Sequence, residues 1–294
     1  MMLKQNVLKF SAFVLAAAVV AMVSCKEDEA PQRLTLQDTA DLTEEALTEA
    51  YFQDLDDMSG VAIEAPSETE YSGARTSGTI TIEDHRFKCD GIVVTITPDA
   101  NSTDAAPKGV LTIDFGTSGC TDLKGNVRKG KLIFTYNGKR FMPGSTVVLT
   151  TDHYTINGIQ LEGTRTLTNL TTSTSEAPRF NVVLDDGKAT FTDGLFATRE
   201  TNITVQWNRA TNPLEDNLQV ESSSTASGTT RGGRTYAVSL LEDLIYKRHC
   251  GIAVSGIKKY VIDGEKEVTV GYGDGDCDRE FTLTVNGVTK VISL

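Results

Sequence analysis

Three histidines (His85, His153 and His249), four cysteines beyond position 25 and 40 acidic residues are the side chains from which this chain could build chemistry. No histidine sits in an H-E-x-x-H or H-x-E pattern, so the spacing that puts two imidazoles on one metal, or a carboxylate beside it, is missing. Each histidine reads as solvated or structural. The stretch "GTSGC" at 116–120 is not the G-x-S-x-G elbow that presents a serine nucleophile. No glycine loop of the phosphate-cradling type is present. Carboxylates could supply a general acid and base from separate strands, a pairing defined in space and not by sequence spacing. Surplus charge on an acidic surface accounts for them more simply, so no catalytic residue and no cofactor is assigned. Asp274, Asp276 and Asp278 alternate in "YGDGDCDRE" as calcium-loop oxygens do, but Arg279 and Val285 stand where an EF-hand needs glycine and glutamate. A turn beside a cysteine is the simpler reading, and no metal is assigned. Lys124, Arg128, Lys129, Lys131, Lys139 and Arg140 form a basic island that could steer an anionic polysaccharide or a partner. A solvated hairpin balancing nearby acids is the plainer alternative.

The cysteines carry more information. "CDGIVVTITPDANSTDAAPKGVLTIDFGTSGC" and "CGIAVSGIKKYVIDGEKEVTVGYGDGDC" each begin with cysteine, run through two strand-like stretches and close on aromatic-Gly-x-x-x-Cys. Phe115 to Cys120 and Tyr272 to Cys277 have the same spacing, and both segments continue into an Asn-Gly turn, as a diverged internal duplication would. Four cysteines allow three pairings. The echo favours Cys89–Cys120 and Cys250–Cys277, in an oxidising, exported environment. Thiolate metal binding lacks a C-x-x-C or a histidine cluster to support it.

Export is itself written at the N-terminus. Lys4 and Lys9, the apolar stretch Phe10–Val23 and the small residues after it have the parts of a secretory signal over residues 1–24. The stretch is shorter than the ~18 apolar residues a spanning helix needs. Met22-Val23-Ser24-Cys25 resembles the bacterial lipobox, whose cysteine is acylated and becomes the first mature residue. Each buried acyl CH₂ contributes ~0.8 kcal/mol, so several chains anchor where one does not. Lys26, Glu27, Asp28 and Glu29 then resemble the acidic post-cysteine tract that directs lipoproteins to the cell surface; a periplasm-facing tether is the alternative. Asp38-Thr39-Ala40 resembles an O-glycosylation sequon at Thr39. The two lysines that leave with residues 1–24 take the formal charge from −12 to −14. Such a surface disfavours nucleic acid as a partner.

The elements that must position these residues are mostly strands. A flexible tether (25–40) leads into one amphipathic helix (41–60), capped by Asp41 or Thr43, with Leu47, Ala50, Tyr51, Leu55 and Met58 at helical spacing and Ser59-Gly60 as its stop. Beyond residue 77, alternation such as Leu111/Ile113/Phe115 and Leu132/Phe134/Tyr136 predicts strands. Asn137-Gly138, Asn157-Gly158, Asp186-Gly187, Asp263-Gly264 and Asn286-Gly287 predict type I′ hairpins. The expected fold class is all-β and antiparallel, a hairpin-rich sandwich or strongly bent sheet, internally duplicated. Its modules are 77–175 and 176–294, divided near Thr171–Pro178 or fused into one domain.

The runs "LTIDFGTSGCTDLKGNVRKGKLIFTYNGKRFMPGS", "YTINGIQLEGTRTLTN" and "YGDGDCDREFTLTVNG" resemble a group of Bacteroidota outer-membrane or surface lipoproteins, over most of the mature chain. The resemblance implies location, β architecture and cysteine placement, and it implies no reaction. The function expected is therefore that of a lipid-anchored envelope β-protein that binds or scaffolds, with the membrane, an envelope polysaccharide or a protein as partner. An envelope glycoside or peptide hydrolase using carboxylates and a purely structural envelope component are the alternatives.

Overall fold

The computed structural model describes residues 33–68, 77–82, 84–210, 215–247, 250 and 252–293. The signal, Cys25, Lys26–Glu29 and His249 lie outside them. Among the described residues one α-helix, α1 (Leu36–Glu68), precedes seventeen strands, with a 3-10 turn at His85–Phe87 after the first of them. The first nine are β1 (Gly78–Thr79), β2 (Val93–Pro98), β3 (Lys108–Asp114), β4 (Cys120–Thr121), β5 (Val127–Asn137), β6 (Thr146–Ile156), β7 (Ile159–Asn169), β8 (Arg179–Thr190) and β9 (Phe196–Asn208). The rest are β10 (Asn217–Val220), β11 (Thr225–Thr229), β12 (Thr235–Leu240), β13 (Leu244–Lys247), β14 (Ser255–Ile262), β15 (Lys266–Asp274), β16 (Glu280–Val285) and β17 (Val288–Ser293). All pairings are antiparallel and join one continuous sheet, not a two-sheet sandwich. β9 is the branch point: it pairs with both β10 and β11, which pass through β13 and β12 to β14.

Turn chemistry explains part of this order. Asn157-Gly158, Asp263-Gly264 and Asn286-Gly287 have positive φ at both positions and close hairpins. The other two expected turns differ. Asn137 ends β5 in extended backbone before a longer loop, and Asp186-Gly187 lies inside β8 as a bulge between Leu184 and Gly187. A Cβ on Gly187 would come within 2.2 Å of the Arg199 carbonyl oxygen, so the close backbone approach selects glycine there. Register shifts recur in the β5–β6, β6–β7, β7–β8 and β8–β9 pairs and again in β14–β15. Successive bulges bend a sheet.

The bend wraps the sheet around α1. Helix residues 49–56 occupy about 10 Å of axis at 1.5 Å per residue, yet they pair with Arg165 on β7, Arg199 on β9 and Lys258 on β14. Those strands are five steps apart, about 24 Å in a flat sheet. The helix starts earlier and ends later than its sequence pattern indicates. Its N-cap is Thr35, in a capping box: the Asp38 N–H donates to Thr35 Oγ1 (3.1 Å) and the Thr35 N–H to Asp38 Oδ2 (2.7 Å). Leu47, expected in the core, is 43% exposed. Leu42, Phe52, Leu55 and Met58 are the buried apolar positions.

The core forms two clusters. One packs Phe52, Leu55 and Met58 against residues of β2 to β8, including Phe115 and Cys120; the other packs Leu42 against residues from Val220 to Val285, including Tyr272. Each cluster holds one copy of the cysteine echo. The disulfides Cys89–Cys120 and Cys250–Cys277 are formed, with Cα separations of 5.7 and 5.2 Å. In both copies a hairpin (β2–β3, β14–β15) lies between the two cysteines, and a later strand (β5, β16) pairs back onto its second arm. The clusters meet near β8 and β9, not at Thr171–Pro178, because β7 and β8 pair along their length, from Asn169↔Phe180 through a bulge to Gln160↔Thr190.

Candidate functional site

The helix face turned toward the sheet is charged. Asp38, Asp41, Glu45 and Glu49 recur every three or four residues, on one stripe, and each meets a cation from the sheet. Asp38 pairs with Lys266 and Arg234, Asp41 with Arg234, Glu45 with Arg199, and Glu49 with Lys258 and Arg199. Glu44 adds Arg231, Asp54 adds Arg86 and Arg128, and Asp56 adds Arg165. Burial works against the Asp38 carboxylate, yet hydrogen bonds from Lys266, Thr35 and Arg234 hold it well below the usual carboxylate range. Burial likewise opposes ionisation of Glu49, and Lys258 and Arg199 outweigh it. Buried pairs of this kind add little net stability, because desolvation offsets the attraction; breaking one is costly. Their effect is to fix where the helix lies.

Between the two core clusters, helix and sheet leave a gap over side chains that are themselves buried. Phe180 and Val182 of β8 belong to neither cluster, and the helix opposite presents Gln53, Asp56 and Asp57. A trough of about 130 Å³ results. Its floor follows β9, whose alternate residues share one face: Arg199, Thr201, Ile203, Val205 and Trp207 all line it. Register places Val182 beside Ile203 and Phe180 beside Val205 on one flank, and Val220 beside Val205 and Leu218 beside Trp207 on the other.

The polar groups in the trough fall into two kinds. Asp56 is held by Arg165, whose Nε donates at 2.6 Å in a two-pronged pair. Arg199 is held by Glu45 and Glu49, and Lys258 by Glu49. These charges are spent on one another. Asp57 and Thr201 are not. Asp57 is exposed to the trough but enclosed by protein around it, and among the described residues no donor hydrogen-bonds its carboxyl. Burial pushes that carboxyl up to about 6; Asp54 and Asp56 add to the rise, while Arg86 and Arg140 oppose it. The Thr201 hydroxyl is buried with no hydrogen-bond partner among the described residues.

Trp207, the chain's single tryptophan, stands at the outer end of β9. Its Nε1–H donates to Asp216 Oδ2 (3.0 Å), and its ring lies 5.5 Å from that of Phe141. The guanidinium carbons of Arg140 and Arg209 sit 5.3 and 4.9 Å from the Trp207 ring centre and 5.0 and 4.9 Å from that of Phe141. Cations in this position are held by the ring faces.

Several expected site residues are not brought together. The basic island is divided: Arg128 and Arg140 flank opposite ends of β5, which spans about 33 Å. Arg128 is 1% exposed, donating to Asp54 (2.6 Å), Tyr154 (2.7 Å) and Asp122 (3.3 Å), so it belongs to the interior. Lys131 pairs with Asp114, while Lys124, Lys129 and Lys139 are exposed. Of the island only Arg140 reaches the trough. Asp274, Asp276 and Asp278 are all exposed, Asp278 accepts from the Glu280 N–H, and the described residues contain no acidic or His/Cys group arranged to hold a metal. Thr39 lies in the first turn of α1 and donates to the Thr35 carbonyl (3.2 Å). His85 contacts Asp84 (3.4 Å), with burial lowering its pKa against the pull of Asp84. His153 is solvent-exposed at the β6 bulge with φ 50°.

The helix carboxylates, surplus surface charge on sequence grounds, are instead the ion-pair anchors of α1. The signal was present in the 38/41/45/49 spacing, but their partners lie on strands far along the chain. The one tryptophan and the pair Asp56-Asp57 were the other available hints. Comparison with protein-family models, with curated proteins and with solved structures gives no match to this chain.

Proposed function

We propose that the protein is a lipid-anchored cell-envelope β-protein with a non-enzymatic binding role, and that it holds a small ligand in the trough between α1 and β9. The lipobox at Cys25 and the acidic tract Lys26–Glu29 support the anchor and an outer-membrane, outward-facing location. The observation that carries the binding role is the trough itself, lined by apolar side chains of β8, β9 and β10 where α1 and the sheet do not close on one another. Pockets that bind small molecules have this composition, largely apolar with a few convergent polar groups.

The hydrolase reading draws on Asp57, a carboxyl raised toward neutrality in a concave site. It lacks a second free carboxylate: Asp56 is clamped by Arg165, and Glu49 by Lys258 and Arg199. Two-carboxylate chemistry needs both groups available to substrate, so binding is the better-supported role.

The test uses the full chain with Cys25→Ala, which removes any acyl chain of its own, and the neutral apolar probe N-phenyl-1-naphthylamine. One probe per chain, with transfer of excitation from Trp207, is the expected result. Val182→Phe and Ile203→Phe, which fill the trough, abolish binding while leaving the circular dichroism unchanged. No saturable probe binding by the folded chain overturns the proposal.

A further inference from the structure

The charges lining the trough divide unequally between those the fold uses and those it leaves. Arg165 is clamped on Asp56, Arg199 on Glu45 and Glu49, and Lys258 on Glu49. Arg140 lies over the Phe141 and Trp207 rings. The positive side chains of the lining are thus engaged, and an anionic ligand would have to compete with the groups that already hold them. Asp57 is the reverse case. It lines the trough from α1 and makes neither a hydrogen bond nor an ion pair with a described residue.

Two more polar groups are left in the same way. Gln53, one helical turn earlier, lines the trough with an amide that has no partner among the described residues. Side chains at i and i+4 are neighbours on a helix, about 6 Å apart at Cβ. The carboxylate oxygens of Asp57 and the carbonyl oxygen of Gln53 therefore present three acceptors along one wall. Across the trough on β9, the Thr201 hydroxyl is about nine-tenths buried and also lacks a partner among the described residues. An ammonium carries three N–H donors and no acceptor, the complement of that wall. The local field has the matching sign. Burial first, and then the negative charges of Asp54 and Asp56, hold a proton on Asp57 up to about 6, against Arg86 and Arg140. An ammonium placed there meets the same negative neighbours and supplies the donors that the carboxylate lacks. Facing the helix, Phe180, Val182, Ile203 and Val205 offer a hydrocarbon body an apolar bed.

We infer that the ligand is an apolar amine, its ammonium at Gln53 and Asp57 on α1 and its hydrocarbon body against β8 and β9. This rests on the trough being the ligand site, and the experiment separates the two statements. The Cys25→Ala chain is loaded with N-phenyl-1-naphthylamine at about pH 7.5. It is then titrated with 1-naphthylmethylamine, 1-naphthalenemethanol and 1-naphthoate, which share a ring system and differ in the head group. The amine is expected to displace the probe about tenfold more effectively than the alcohol, the scale of one charge-assisted contact, with the carboxylate weakest. Asp57→Asn keeps the shape and removes the charge, so the amine-to-alcohol ratio falls to near one. Gln53→Met lowers the ratio about threefold. With Asp57 in place the ratio also falls toward one as pH drops through about 6, where this carboxyl takes up its proton. Asp54 and Asp56 on α1, and Arg86, Arg140 and Arg165 around them, are unchanged in Asp57→Asn, so a flat profile in that variant assigns the pH dependence to Asp57. The pH profile of the unaltered site keeps the test sound if a variant disturbs the fold. Displacement by the alcohol or the carboxylate as effective as by the amine, a ratio that neither Asp57→Asn nor pH moves, or no displacement by any of the three overturns the amine assignment. In each of these cases the trough stands as a site; absence of probe binding removes the site itself.

Discussion

Replacing Thr201 with valine tests whether the trough is as dry as its lining indicates. Thr201 is central in β9, its backbone paired with Leu184 on one side and Ala226 on the other, and its side chain is about nine-tenths buried. The hydroxyl has no partner among the described residues. Valine has nearly the same shape and suits a strand equally well, so the exchange removes the hydroxyl and little else. An unsatisfied buried hydroxyl costs ~1–3 kcal/mol in protein mutational series. Thr201→Val is therefore expected to stabilise the chain by about 1–2 kcal/mol, against the usual trend for core substitutions. Urea unfolding followed by Trp207 emission and far-ultraviolet circular dichroism reads this directly. With a slope of ~3 kcal/mol/M for a chain of this size, the midpoint rises by roughly 0.3–0.7 M at unchanged slope. N-phenyl-1-naphthylamine should bind as tightly as before or more so, since a methyl replaces a hydroxyl in the trough lining. A lowered or unmoved midpoint would refute the reasoning by showing that the hydroxyl is satisfied, as by water in a wet trough.

Arg128→Met should destabilise the fold by about 3–5 kcal/mol, because Asp54 and buried Asp122 lose their shared cation; denaturant midpoints check this. Removing Cys89–Cys120 or Cys250–Cys277 by paired Cys→Ala exchange opens a loop whose ends are 31 or 27 residues apart. Each exchange should cost about 3.5 kcal/mol in the chain-entropy model, read as a lower unfolding midpoint. Asp57, raised to about 6 from 3.8, favours the folded state most below its unfolded value. Its contribution is lost as pH rises through about 6. The full shift corresponds to ~3 kcal/mol, and screening in the open trough reduces it to roughly 1. Asp57→Asn should flatten the stability profile between pH 4 and 7, with Arg86, Arg140, Asp54 and Asp56 left in place around it.

Local rules made much of the β architecture legible. Asn157-Gly158, Asp263-Gly264 and Asn286-Gly287 need positive φ at both turn positions, and each closes a hairpin. The alternation at Leu111/Ile113/Phe115 and Leu132/Phe134/Tyr136 places those side chains in the core, and the cysteine echo gives both disulfides. Asp186-Gly187 carries the same dipeptide signal but sits in a bulge, because the Arg199 strand approaches Gly187 too closely for any side chain. That approach is a tertiary fact with no local trace. The helix was harder for a similar reason. Its inward face carries acids whose partners lie up to about 230 residues away, so hydrophobic periodicity misplaced both its buried face and its ends. The trough was not legible at all: it arises where strand curvature separates two core clusters, and it draws β7, β8, β9 and β14 onto a few turns of one helix. Counting basic residues grouped Arg140 with Arg128, although β5 separates them.

The measurement that bears most directly on the ligand site is a crystal structure of the protein isolated from its own envelope without added lipid. Density for a bound small molecule between α1 and β9, against Phe180, Val182, Ile203 and Val205, is the expected result. A trough closed by repacked Phe180 and Val182, or filled only by waters bonded to Asp57 and Thr201, would contradict it.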